Sequence, residues 1–142
     1  MNKIKLYKEL LDMYDKGKQL YFEEVENLLY ISDSYRVWAL DKRDCLLNIE
    51  NLQFKKVDLT HFMEVKDGYV DGYKLSEMKE IDGKIGVYIQ SNSDDSIKAL
   101  INKKFLNVFE KNCEFRIKDD KSPIYIYEND NLVGLILPMR IY

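Results

Sequence analysis

Two stretches of this chain, residues 2–40 and 97–135, run alongside each other at a constant offset of 95, and that internal likeness limits the folds open to it. Lys8-Glu9-Leu10-Leu11-Asp12-Met13-Tyr14-Asp15-Lys16 reads against Lys103-Lys104-Phe105-Leu106-Asn107-Val108-Phe109-Glu110-Lys111. The same register sets Leu29-Tyr30-Ile31 against Ile124-Tyr125-Ile126 and Leu40 against Leu135. Identities number only seven, but residue class is kept at most core-type positions. A copied unit of one helix followed by strands predicts an α+β domain with internal pseudo-symmetry. The expected layout is a single domain over 1–142: repeat 1 at 2–40, an inserted β and loop segment at 41–96, and repeat 2 at 97–142.

The elements follow from periodicity. From Tyr7 to Lys16, at 100° per residue, Tyr7, Leu10, Leu11, Met13 and Tyr14 share one side of a helix that Gly17 is placed to end. Lys3-Ile4-Lys5-Leu6 fits either a strand or a first helical turn. Gln19–Phe22, Leu28–Ile31 and Tyr35–Leu40 read as strands, parted by turns at Glu26-Asn27 and Ser32-Asp33-Ser34. The second copy predicts a strand at Ile97–Ile101 and an Asn102-capped helix over Lys103–Lys111. Strands follow at Glu114–Lys118, Ile124–Glu128 and Leu132–Leu137, with Pro123 at a strand start or edge. Between the copies, Leu46–Ile49 reads as a short strand and Lys79–Ile89 as a hairpin with a type I′ turn at Asp82-Gly83. Asp67-Gly68 and Asp71-Gly72 add two turn signals, and Ser91–Ser96 is the most polar loop.

Composition excludes some classes. The run Gly134–Met139 falls far short of the ~20 apolar residues a membrane span needs, and Lys8 and Glu9 interrupt any signal-peptide core. A cytoplasmic protein without a membrane partner is expected. Cys45 and Cys113 lie far apart without metal spacing, so free thiols are the better reading. His61 is the only histidine, Asp58, Asp67 and Asp71 lack calcium-loop spacing, and neither a Walker loop nor a dinucleotide-binding turn is present. No metal, no cofactor and no catalytic residue is expected, and the chain is read as a non-enzyme. Net charge is −3, against a general nucleic-acid binder. Residues 57–96 hold nine acids and four lysines, net −5, which leaves +2 for the remainder. Plentiful Lys, Ile and Asn with only two alanines suggest a low-GC genome or its phage.

Ile101-Asn102-Lys103-Lys104-Phe105-Leu106 and Leu137-Pro138-Met139-Arg140-Ile141, in that order near the chain's end, resemble the C-terminal domain of the bacterial DNA polymerase III β sliding clamp. The resemblance covers residues 97–142, and residues 2–40 through the repeat. It implies a clamp-like fold of two strand–helix–three-strand units with both helices on one side. It also implies a partner-binding groove at Leu137, Pro138, Met139 and Arg140, although a groove wall built by a preceding clamp domain has no counterpart here. A clamp subunit has three such domains against one here, so a ring would need six copies. The segment between the copies is longer than the clamp's.

Lys103, Lys104 and Lys111 are candidate phosphate-facing residues. The polar face of the second predicted helix carries +2 and that of the first −1, a poor lining for DNA. Tyr69, Tyr73 and Tyr142 are candidate ligand-stacking residues, lying in turn-rich or terminal context among eleven tyrosines. The reading favoured is a small binding protein with a clamp-like fold, encoded by a phage or mobile element, that binds a host protein or ligand. One alternative is a counter-defence protein that sequesters a nucleotide signal or blocks a nuclease, using tyrosines and Arg36, Arg43, Arg116 and Arg140. Another, with the weakest case, is an oligomeric DNA clamp, so a homo-oligomer is a further expectation.

Overall fold

A computed structural model describes residues 1–140. It contains one α-helix, α1 (Lys3–Asp15), and ten strands: β1 (Tyr21–Val25), β2 (Leu28–Ser32), β3 (Arg36–Asp41), β4 (Lys55–Lys56), β5 (Val70–Ile81), β6 (Lys84–Ser91), β7 (Lys98–Asn102), β8 (Glu114–Ile117), β9 (Ile124–Glu128) and β10 (Asn131–Ile136). All belong to one sheet in the order β4-β1-β2-β3-β10-β9-β8-β5-β6-β7. Pairing is antiparallel throughout, except that β4 runs parallel to β1. The fold is mixed α and β and mostly sheet. No helix among the described residues is long and apolar enough to cross a membrane.

The Asn2 side chain accepts a hydrogen bond from the Lys5 amide at 3.1 Å and so starts α1. That cap settles the ambiguous first residues as helix. Leu6, Tyr7, Leu10 and Met13 form its buried face, and Gly17, at φ 76°, turns the chain away. The hairpin turns are legible in their dihedrals. Asp82 and Gly83 lie at φ 50° and 77°, and Asn129 and Asp130 at 49° and 63°, the positive pair a type I′ turn requires. Gly72, read as a turn residue, lies inside β5 instead.

Two apolar clusters hold the sheet, one on each face. The larger gathers Leu6, Leu10 and Met13 of α1 with Leu29, Ile31, Trp38, Leu40, Ile89, Ile101, Ile117, Ile124, Ile126 and Ile136. The smaller lies on the opposite side of β3, β9 and β10, where Val37, Ala39, Tyr125 and Leu135 pack with Met63. Alternating residues of β3 and β9 supply the two clusters, as a pleated ribbon covered on both faces requires.

Residues Lys103–Lys111 do not form the predicted helix. Only Lys103–Leu106 is helical, as a 3-10 turn opened by the Asn102 side chain, which accepts from the Lys104 amide at 3.1 Å. Beyond it the Asn107 and Phe109 amides donate to the Lys104 and Leu106 carbonyls, in i→i−3 fashion. Phe105, Asn107, Val108 and Phe109 are indifferent helix formers, and nine residues are too few to sustain a helix alone. Tertiary contacts then decide. Val108 and Phe109 are drawn into the core, and the Val108 carbonyl accepts from the Asn2 amide. The expected pair of helices is therefore a single α-helix and a segment that opens with one 3-10 turn and continues irregularly. Leu46–Ile49 is likewise irregular, with Leu46 mostly exposed.

The β10 strand is internal, lying between β3 and β9, so the apolar Leu132–Leu137 run is a central strand. Past its end the Leu137 amide donates to the Tyr35 carbonyl at 2.9 Å and the Met139 amide to the Leu100 carbonyl of β7 at 2.6 Å. The C-terminal segment thus ties β3 to the far edge of the sheet, which curls back toward itself.

Candidate functional site

β8 pairs with β5 only at Val70–Gly72. Before β8 the chain, residues 103–113, leaves the sheet to cover the core. A cleft of about 680 Å³ opens in the space so left, between residues 71–74 of β5 and residues 103–116. Its apolar floor includes Leu106, Phe109 and Phe115. The Phe109 ring lies where a Cβ on Gly134 would be, within 2.6 Å, so the floor rests directly on β10.

Cations dominate the rim: Lys5, Lys74, Lys103, Lys111 and Arg116, against Asp71, Glu110 and Glu114. The acids are already engaged. Arg116 lies 2.8 Å from Asp71 and 3.8 Å from Glu114, and Glu110 lies 3.8 Å from the N-terminal amine. Among the described residues Lys5, Lys74, Lys103 and Lys111 have no ion-pair partner, and only Lys103 makes a side-chain contact, to Met78 Sδ at 3.8 Å. Four unpaired ammonium groups give the lining, with five cations to three acids, a positive excess in a chain that is acidic overall. Tyr73 stands at the same rim, nearly half exposed, its hydroxyl accepting from Gln90 Nε2 at 2.8 Å. A smaller cleft of about 240 Å³, lined in part by Lys84, Lys103 and Lys104, shares Lys103 and Asn107 with the first.

The cleft is fixed from beneath. Arg36, buried on β3, donates to Asp33 Oδ2 at 2.8 Å and to Glu9 Oε2 of α1 at 2.9 Å. Its guanidinium also covers the Phe105 ring at 4.0 Å and the Trp38 ring at 4.6 Å, which anchors the turn that carries Lys103 and Lys104. Glu128, buried on β9, accepts from the N-terminal amine and, at 2.8 Å, from the Glu110 amide. Burial, with the Glu128 carboxylate as a second cause, pushes the Cys113 thiol in the cleft wall up to about 11.

The residues singled out from sequence are therefore scattered, with one focus. Lys103, Lys111 and Tyr73 meet at the cleft, and Lys104 lies in its smaller neighbour. Tyr69 is half-buried on the other face, its hydroxyl donating to the Pro123 carbonyl at 2.9 Å and its ring edge-on to Tyr125. Burial pushes that hydroxyl up to about 12. Tyr142 lies outside the described residues. Leu137 and Arg140 are exposed and Pro138 and Met139 half-buried, following β10 rather than forming an edge strand. Arg36 is structural, and Arg43 closes a local pair with Asp41. Arg116, one of the arginines named from sequence, also reaches the rim, whereas Lys5 and Lys74 carried no sequence signal, because only the β5–β8 pairing and the docking of α1 bring them there. Among the described residues no group of three or more His, Cys, Asp or Glu side chains could hold a metal ion. Comparison with protein-family models, with curated proteins and with solved structures finds no match to this chain.

Proposed function

We propose that this protein is a non-enzymatic binding protein whose lysine-rimmed cleft takes a phosphate-bearing ligand, a nucleotide first among them. The observation that carries this reading is the set of four unpaired lysines facing one cavity whose acids are all engaged. Ammonium groups supply point charges for phosphate oxygens, and the exposed Tyr73 ring offers a face for a base. Sequestration of a nucleotide signal, as in a counter-defence protein, suits such a site better than processive DNA contact. The cleft is local, and the remaining charge is net negative.

The clamp-like kinship belongs to the same proposal. In its support, two three-strand meanders, β1–β3 and β8–β10, meet at the β3–β10 seam. The single helix weighs against it. The clamp-derived peptide site at Leu137–Arg140 ranks behind the cleft, since the Met139 amide is spent on β7.

A thermal-shift screen of mono-, di- and cyclic nucleotides, inorganic phosphate and a short single-stranded oligonucleotide tests the reading. A rise of several degrees is expected with at least one nucleotide, weakening as salt is raised. Lys103→Glu with Lys111→Glu should abolish it. No shift with any phosphate-bearing probe, at low salt and millimolar concentration, would end it.

A further inference from the structure

The hairpin of β5 and β6 carries an open edge. β8 covers β5 only as far as Gly72, so from Tyr73 to Ile81 β5 has β6 on one side and no strand on the other. Three residues of β5, Leu75–Glu77, face Tyr88 alone on β6 between the Lys74–Ile89 and Met78–Val87 pairs. A bulge of this kind bends its strand. Most of the stretch is exposed, and Met78 at its middle is 56% exposed.

The order of residues along that edge is self-complementary. When Lys74-Leu75-Ser76-Glu77-Met78-Lys79-Glu80-Ile81-Asp82 is laid antiparallel on itself about Met78, Glu77 falls opposite Lys79 twice. Leu75 falls opposite Ile81 and Met78 opposite itself, while Lys74 comes level with Asp82 at the start of the turn. Neighbouring registers that keep the same side-chain faces are penalised. Centring on Glu77 sets Glu77 against itself and takes Lys79 from Glu77 to Leu75, with two Lys74–Glu80 pairs in partial offset, and centring on Lys79 sets Lys79 against itself. Edge lysines ordinarily discourage pairing with another chain. Here Lys79 has Glu77 waiting opposite in one register, so the charges favour that register. Cross-strand pairs of opposite charge stabilise a ladder and like pairs oppose it. Glu77 has a present contact to Lys98 at 3.8 Å, between two part-exposed groups, and gives up little by leaving it.

We infer that two copies of this chain associate through the free edge of β5, related by a two-fold axis at Met78, with Glu77 of each facing Lys79 of the other. Such an interface is isologous and closes at two subunits. About seven residues a side, Leu75–Ile81, of which Leu75–Glu77 are bulged, make it a modest contact, populated as concentration rises.

Sedimentation from micromolar to millimolar protein tests it. The mass should climb from 16.9 kDa toward twice that value. Lys79→Glu, which sets acid against acid at two places, should weaken dimerisation at least tenfold. Glu77→Lys combined with Lys79→Glu should restore it. Independently of charge, Met78→Cys under mild oxidation should give a doubled band on a non-reducing gel. Ser76→Cys and the unmodified chain, with Cys45 and Cys113, should not. A monomer at every concentration would overturn the inference, as would a dimer indifferent to both charge variants or folded Met78→Cys protein that fails to cross-link.

Discussion

The Arg36 guanidinium lies 4.0 Å over the Phe105 ring, so a buried cation of β3 fastens the turn that lifts Lys103 and Lys104 to the cleft. Asp33, itself buried, and Glu9 neutralise that cation. Removing the guanidinium would leave the Asp33 carboxylate buried without its partner. Arg36→Met should therefore cost about 3 kcal/mol, read as a lowered midpoint in urea. A loss below about 1 kcal/mol would show that the network carries no stability.

A Cβ added at Gly134 would lie 2.6 Å from the Phe109 ring and 3.1 Å from the Val37 carbonyl. A Cβ at this position must displace the cleft floor or part the β3–β10 seam. Gly134→Ala should destabilise the fold by about 1–3 kcal/mol and reduce ligand affinity more than a surface substitution does. Thermal melts and titration of the variant check both effects, and an unchanged melting temperature would contradict the packing described.

Glu23 on β1 clamps the segment that closes the smaller core. Its Oε1 accepts from the Thr60 hydroxyl at 2.6 Å, the Thr60 amide at 2.8 Å and the Leu59 amide at 3.0 Å. The Thr60 hydroxyl foremost, then the Leu59 amide, holds the carboxyl below its ordinary 4.5. A carboxyl whose folded value is depressed stabilises the fold above its unfolded value, and that contribution is lost as pH falls through the folded one. Glu23→Gln should cost about 1 kcal/mol near neutrality, and the gap between variant and parent should close below pH 4.5. A gap that persists in acid would refute the carboxylate's role.

Cys113 should be a slow thiol. With its value raised from 9.0 to about 11, its thiolate fraction at pH 8 falls about 100-fold, and alkylation slows accordingly. Rates followed by mass spectrometry from pH 7 to 11 should still be climbing at the top of that range. A plateau near pH 9 would contradict the burial.

Local signals survived translation into structure better than global ones. The β5–β6 turn was legible at Asp82-Gly83, because a positive φ pair leaves few residue choices. The Leu6, Tyr7, Leu10, Met13 face was legible because burial and helical period coincide there. The second helix failed because Phe105, Val108 and Phe109 announce burial, not backbone shape, and a 3-10 turn with an irregular continuation buries them equally well. Lys103, Lys111 and Tyr73 could be singled out one by one. Their convergence could not, since Tyr73 reaches the cleft through a pairing between Gly72 and Phe115, 43 positions away in sequence.

The β3–β10 seam joins residues nearly a hundred positions apart, with Trp38 opposite Gly134. Seams between such remote partners are entropically slow to close. On the ribosome, the first meander would wait with one flank open until β10 had emerged, a window in which chaperones or stray strands could compete for it. Translation pauses placed shortly before codon 131 should thus lower the yield of native protein more than equal pauses placed early.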